Sequence, residues 1–193
     1  MNYLFVIAME NEAKPLLEKY NLEKIKKNFF KKDNLSLVIT GVSRNAVVKS
    51  LLDLVLNNDI DFNNTNIINV GLVGSNKLSI GNVVMVKKSY GYHFDLTPFG
   101  DPLYHSSNSP YSLDTINNID NIDCYTSDGF VLKTDIEEPV IFDMELNAII
   151  PFSKNKLYSI KIVSDTLDAS KYRNFCIEDA HDKLFNILDL IIK

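Results

Sequence analysis

Short, nearly unbroken apolar runs recur along this chain, and they constrain its fold more than any other feature. They lie at residues 3–8, 35–40, 66–70, 82–87, 139–142 and 158–163. A strand with one wet face alternates apolar and polar residues, whereas a strand covered on both faces reads as a continuous run of Val, Ile and Leu. Segments with helical spacing lie between the runs. Residues 11–20 open with Asn and Glu. Residues 43–56 start on a serine able to cap them and set Ala46, Val47, Leu51, Leu54 and Val55 along one stripe. Residues 172–192 place Phe175, Cys176, Ala180, Leu184, Leu188 and Ile191 on one apolar face. Doubly covered strands alternating with helices predict an α/β three-layer sandwich with a central mixed, mostly parallel twisted sheet.

Three of the runs stop at an acidic residue. Glu12 follows the first, Glu145 follows the run that ends at Met144, and Asp165 follows the run that ends at Ser164. In open α/β sheets ligands bind outside the carboxyl ends of the strands. Carboxylates gathered at such an edge would suit hydroxyl recognition and proton transfer. Each also has a purely structural reading. Glu12 and Glu145 can be first-turn acids that complement a helix dipole, and Asp165 can cap the following turn with Thr166 and Asp168.

Composition narrows the classes. The 193 residues suit one domain with a real core, and 46% apolar against 23% charged residues is ordinary for a globular protein. A net charge of −5 argues against nucleic acid as a partner, because neutralising phosphates takes a basic surface. The one basic stretch, KIKKNFFKK (24–32), reads as a solvated helix end and hairpin flank. No stretch approaches the roughly 20 apolar residues of a membrane span. The N-terminal run lacks a basic leader and reads as a buried first strand of a cytoplasmic protein. Cys124 and Cys176 lack metal-ligand or CxxC spacing, so neither a disulfide framework nor zinc is indicated. No Ser or Cys is paired with a base for acyl transfer. Residues 96–119, rich in Pro, Ser and Asn, read as a long loop.

A set of motifs then appears in order: AMENEA (8–13), GVSRNA (41–46), INVGLVGS (68–75), IGNVVMV (80–86), YHFDLTPFG (92–100), SDGFV (127–131), FDMELNAI (142–149) and VSDTLD (163–168). Together they resemble the purine/uridine phosphorylase superfamily, and most closely its methylthioadenosine/adenosylhomocysteine nucleosidases. The resemblance implies one nucleoside phosphorylase-like domain over residues 1–193 that cleaves the ribose–purine bond of a 5′-modified adenosine without metal or organic cofactor. It implies that Asp165, oriented by Ser164, protonates the purine, and that Glu12 positions or activates the attacking water. Glu145 would accept hydrogen bonds from the ribose 2′ and 3′ hydroxyls, with Met144 against the sugar. Phe130 would stack on the base while the Val131 backbone reads its edge, and Val73 and Gly74 would approach base and sugar closely. Phe99 would cross the interface of a homodimer to close the partner subunit's pocket.

The chain also departs from that pattern. Leu72 stands where relatives carry a small polar residue, Ser75 replaces a glycine, Arg44 a lysine and Lys161 an arginine. The connections after Val131 and Glu145 are short. The 5′ group therefore stays open among methylthioadenosine, adenosylhomocysteine, deoxyadenosine, futalosine-type and plain nucleosides. With Arg44 and Arg173 the only arginines, water is the expected nucleophile. Phosphorolysis stays as an alternative because Arg44 lies near a helix start. A catalytically silent nucleoside-binding module is the third reading.

Overall fold

The computed structural model describes residues 1–92, 110–173 and 175–192. Strand β1 (Asn2–Ile7) shows why its sequence is apolar throughout. Tyr3, Phe5 and Ile7 enter one core cluster while Leu4 and Val6 enter another on the opposite face. The first face is covered by α1 (Glu10–Lys19) and α5 (His181–Ile191), through Ala13, Leu16, Leu184 and Leu188. The second is covered by α2 (Arg44–Leu56), through Val47, Leu51 and Leu54, and by the short α3 (Leu146–Ile149).

Strand β1 pairs in parallel with β4 (Leu35–Ile39) on one side and β5 (Thr65–Ser75) on the other. Beyond β4 the sheet continues as an antiparallel hairpin of β3 (Phe29–Lys32) and β2 (Glu23–Lys26). Strand β5 outlasts β1. Past Asn69 it loses that neighbour, and at Gly74–Ser75 it takes β9 (Val140–Asp143) instead. From β9 the pairing runs through β8 (Asn121–Thr126), β6 (Val83–Gly91) and β10 (Leu157–Asp165), then back to β5. These five strands close a ring, and each contributes to a third cluster containing Val73, Val84, Val86, Ile122, Cys124, Ile141 and Val163.

The α/β alternation and the double coverage of β1 agree with the sequence reading; the expected sandwich does not describe the whole molecule. The sheet is mixed, with five parallel and five antiparallel pairings among the described residues, and half of it closes on itself. Apolar runs report which strands are buried, whereas strand direction depends on the partner each one finds. Residues 24–32 fall within the β2–β3 hairpin, with no helix end. Within the expected long loop, β7 (Tyr111–Ser112) pairs with β6. The expected closing helix is broken into α4 (Ala169–Arg173), a 3-10 turn at Ile177–Ala180 and α5, leaving Cys176 exposed.

One polar contact crosses the ring. Lys161 of β10, the single charge in an otherwise apolar run, places its Nζ 2.8 Å from Asp143 Oδ2 at the end of β9, and both side chains are fully buried. Asp143 also accepts from Thr126 Oγ1 (2.7 Å) and from the Leu146 backbone N–H (2.9 Å), so four elements meet on one carboxylate. Burial works against the ammonium charge, but the negative groups around it, Asp143 foremost, prevail and hold the Lys161 pKa above its ordinary value. Lys161→Met removes the counter-charge and leaves a buried carboxylate. We expect a loss of about 3–5 kcal/mol in denaturant unfolding, with part of it regained in Lys161→Met/Asp143→Asn.

Candidate active site

A cavity of about 260 Å³ opens at the C-terminal ends of β1, β5, β9 and β10, slightly below the ~300–1,000 Å³ usual for small-molecule sites. Its wall contains Glu12, Val73, Gly74, Phe130, Val131, Met144, Glu145, Ser164 and Asp165. Every site residue singled out in the sequence is thus brought together here, save Phe99, which lies outside the described residues. The sequence reading missed Tyr172, Val42 and Asp143, which line the same cavity. It noted Lys161 only as a departure.

Glu12 is the third residue of α1 and is 2% exposed. Its Oε1 accepts from the Leu72 N–H (2.9 Å) and its Oε2 from the Met9 N–H (3.0 Å). The first-turn reading of Glu12 is therefore also true, because Met9 precedes the helix. Burial is the largest influence on its acidity. The two backbone bonds and the Lys161 charge oppose it, and the balance raises the pKa to about 7. A carboxyl poised near neutrality can trade a proton with water in either direction.

Asp165 ends β10, just past a register shift against β5 that pairs Val163 with Val73 and Asp165 with Gly74. Such an irregularity re-aims a side chain. Asp165 Oδ1 accepts from the backbone of Leu167 (2.9 Å) and Asp168 (3.3 Å). The Ser164 hydroxyl lies 3.0 Å from Oδ2 and 3.2 Å from the Val73 carbonyl oxygen. The cap role and the orienting serine therefore coexist. Burial raises the Asp165 pKa against the pull of these bonds, which favours a carboxyl able to carry a proton.

Glu145 links β9 to α3. Its Oε1 accepts from the Ser43 N–H (3.0 Å) and its pKa is raised by burial, then by the neighbouring Asp143 charge. Ser43 reaches it from an uncommon backbone conformation, φ 103° and ψ 154°, two residues after Gly41 at φ 86°. A non-glycine residue there costs of order 1–3 kcal/mol and persists where its surroundings over-determine it.

Aromatic groups close the cavity. Phe130, 45% exposed, meets Tyr172 edge to face at 6.0 Å between centroids. The Tyr172 hydroxyl lies 3.5 Å from Met9 Sδ. Burial raises its pKa first, followed by the charges of Glu12, Glu145 and Asp165, which line the same cavity.

No family model matches the sequence, and no curated protein matches it. Solved structures do match. A 5′-methylthioadenosine/S-adenosylhomocysteine nucleosidase from S. pneumoniae with a transition-state inhibitor superimposes with a TM-score of 0.79 at 19% identity, over 97% of this chain and 98% of that one. A putative nucleosidase of the same kind from Borrelia burgdorferi, bound to adenine, gives 0.78 at 21% over 98% and 100%. A futalosine hydrolase mutant from Helicobacter pylori gives 0.77 at 15% over 98% and 99%. The chain has the fold of these nucleosidases across nearly its whole length, in line with the resemblance carried by its motifs.

Gly74 is held to glycine by Asp165. A Cβ built there would stand 2.8 Å from Asp165 Oδ1 and 3.2 Å from Leu167 Cδ2, and Oδ1 is pinned by two backbone bonds. We expect Gly74→Ala to displace Asp165. The displaced carboxyl would show in a crystal structure of the variant, along with a loss of at least tenfold in any activity that uses Asp165 as an acid.

Proposed function

We propose that this protein is a nucleoside N-ribosyl hydrolase that releases purine from a 5′-modified adenosine such as methylthioadenosine or adenosylhomocysteine. The observation that carries this reading is the meeting of Glu12, Glu145 and Asp165 in one cavity, each with its pKa raised by burial. The shared fold with nucleosidases supports it.

The bond between ribose C1′ and purine N9 breaks with its electron pair on the purine, and Asp165 delivers a proton to the imidazole-ring nitrogen so that the base leaves neutral. Help of this kind contributes about 10²–10⁴-fold. The sugar left behind is cationic. Glu145 accepts hydrogen bonds from its 2′ and 3′ hydroxyls, since two carboxylate oxygens suit a vicinal diol and their charge faces the developing cation. Water attacks C1′ and gives its proton to Glu12; solvent then returns Glu12 and Asp165 to their starting states. Phe130 stacks on the base, the Val131 backbone reads its edge, and Met144, Val73 and Gly74 line the sugar side.

Water rather than phosphate is the nucleophile in this reading. The Arg44 guanidinium already grips Asp128 with two nitrogens, so it is committed to a carboxylate. We further propose that residues 1–193 act as one domain, that the protein works in the cytoplasm, and that a homodimer completes the site with Phe99 of each subunit. Exposed Val48, Leu52, Val55 and Leu56 on α2 offer apolar surface for such an assembly.

Two outcomes test the reading. Asp165→Asn is expected to abolish adenine release from methylthioadenosine, followed by chromatography with and without phosphate, while circular dichroism stays that of the native fold. A wild type that releases no base from any nucleoside would sink it, and release that requires phosphate would replace it with phosphorolysis. In addition, the base form of Glu12 prevails above its pKa of about 7. We therefore expect kcat/KM to fall as pH drops below about 7, and this acid limb to vanish in Glu12→Gln.

A further inference from the structure

We propose that Arg44 and Asp128 are positioning residues that form a clasp across the cavity mouth, tying the loop that carries Phe130 and Val131 to the start of α2. The inference rests on the proposed hydrolase reading for its kinetic consequence, though not for the clasp itself. Arg44 Nε donates to Asp128 Oδ1 at 2.8 Å and Nη2 donates to Oδ2, a two-point fork that fixes orientation as well as distance. The partners are 84 residues apart in sequence, and the hydrogen bonding from Arg44, aided by its charge, holds the Asp128 carboxyl below its ordinary pKa.

The loop has little else to hold it. No helix or strand occurs between Thr126 and Val140. Ser127 donates its N–H to the Asp143 carbonyl, and Gly129 donates to the Ser127 hydroxyl. Further along, the Tyr92 hydroxyl donates to the Lys133 carbonyl at 3.4 Å, and Asn76 binds the carbonyls of Ile136 and Glu138. Among the described residues, Arg44 is the one side chain from another element that hydrogen-bonds within 128–132. A Cβ built on Gly129, next in line, would meet nothing within 4 Å.

The position of Arg44 gives the clasp a second consequence. The preceding residue, Ser43, donates its backbone N–H to Glu145. Two consecutive residues thus hold the sugar-side carboxylate and the base-side aromatic, so a shift of the 41–44 turn moves both halves of the cavity together. Losing the clasp should weaken nucleoside binding without removing any group that takes part in chemistry.

The test uses Arg44→Met, Asp128→Asn and the exchanged pair Arg44→Asp/Asp128→Arg. Hydrogen–deuterium exchange of the ligand-free protein reads the loop directly and needs no activity. We expect amides of 127–132 to exchange about three- to fivefold faster in each single variant, the scale of an exposed ion pair, and to slow again in the exchanged pair. For adenine release, KM should rise by a similar factor with kcat within twofold, and recover likewise. Unchanged exchange in the single variants, or an exchanged pair no better than either, would overturn the clasp. If wild type proves inactive, the exchange result still decides the clasp while the hydrolase reading falls separately.

Discussion

The buried pair of Lys161 and Asp143 is the contact on which the rest of the site depends. It joins β10 to β9 inside the closed ring, with both side chains buried. Breaking such a pair costs far more than its presence contributes, because the charge left behind is stranded. Lys161 lies four residues before Asp165, and Asp143 two before Glu145. The same ammonium charge steadies the ionised forms of Glu12 and Glu145. A bond between two strands therefore sets both the spacing of the carboxylates and their electrical surroundings.

Three carboxylates in one cavity would repel one another if all were alike. Their supports divide them. Glu12 is held by two backbone N–H groups and faces a cation, yet lies so deep that its pKa reaches about 7. Asp165 is gripped by its own turn and by Ser164. Glu145 takes its bond from Ser43, a residue in a conformation that would suit glycine better. Differences of environment of this kind are how chemically identical groups acquire separate acid, base and binding roles.

Much of this was legible in the sequence, for identifiable reasons. The runs at β1, β4, β5 and β10 could be read because both faces of each are buried, and the carboxylates stood out because each interrupts a pattern. Strand β8 escaped because only Ile122 and Cys124 face the core cluster while its other residues are polar. Ring closure escaped because it depends on β5 outlasting β1, a length difference that hydrophobic periodicity does not encode. Tyr172 reads in the sequence only as the start of the closing helix; it lies instead in α4, ahead of the break before α5, and lines the cavity. Lys161 carried a usable signal, a lone charge inside an apolar strand, which physical chemistry allows only with a buried counter-charge.

The connections after Val131 and Glu145 carry little helix, and polar side-chain contacts support them. With no helix after Val131, side chains anchor the 127–139 loop: Asn76 at 136–140, Tyr92 at 133 and Arg44 at 128. Only one turn of helix follows Glu145, whose carboxylate takes its donors from the Ser43 and Met144 backbones. Ser43 supplies its N–H from a backbone at positive φ, so a strained residue and a site carboxylate meet at one turn. A longer chain could meet the same needs with packed helices. Here they fall to a few polar contacts around one ring, and a small cavity is shaped less by its lining than by what grips that lining from behind.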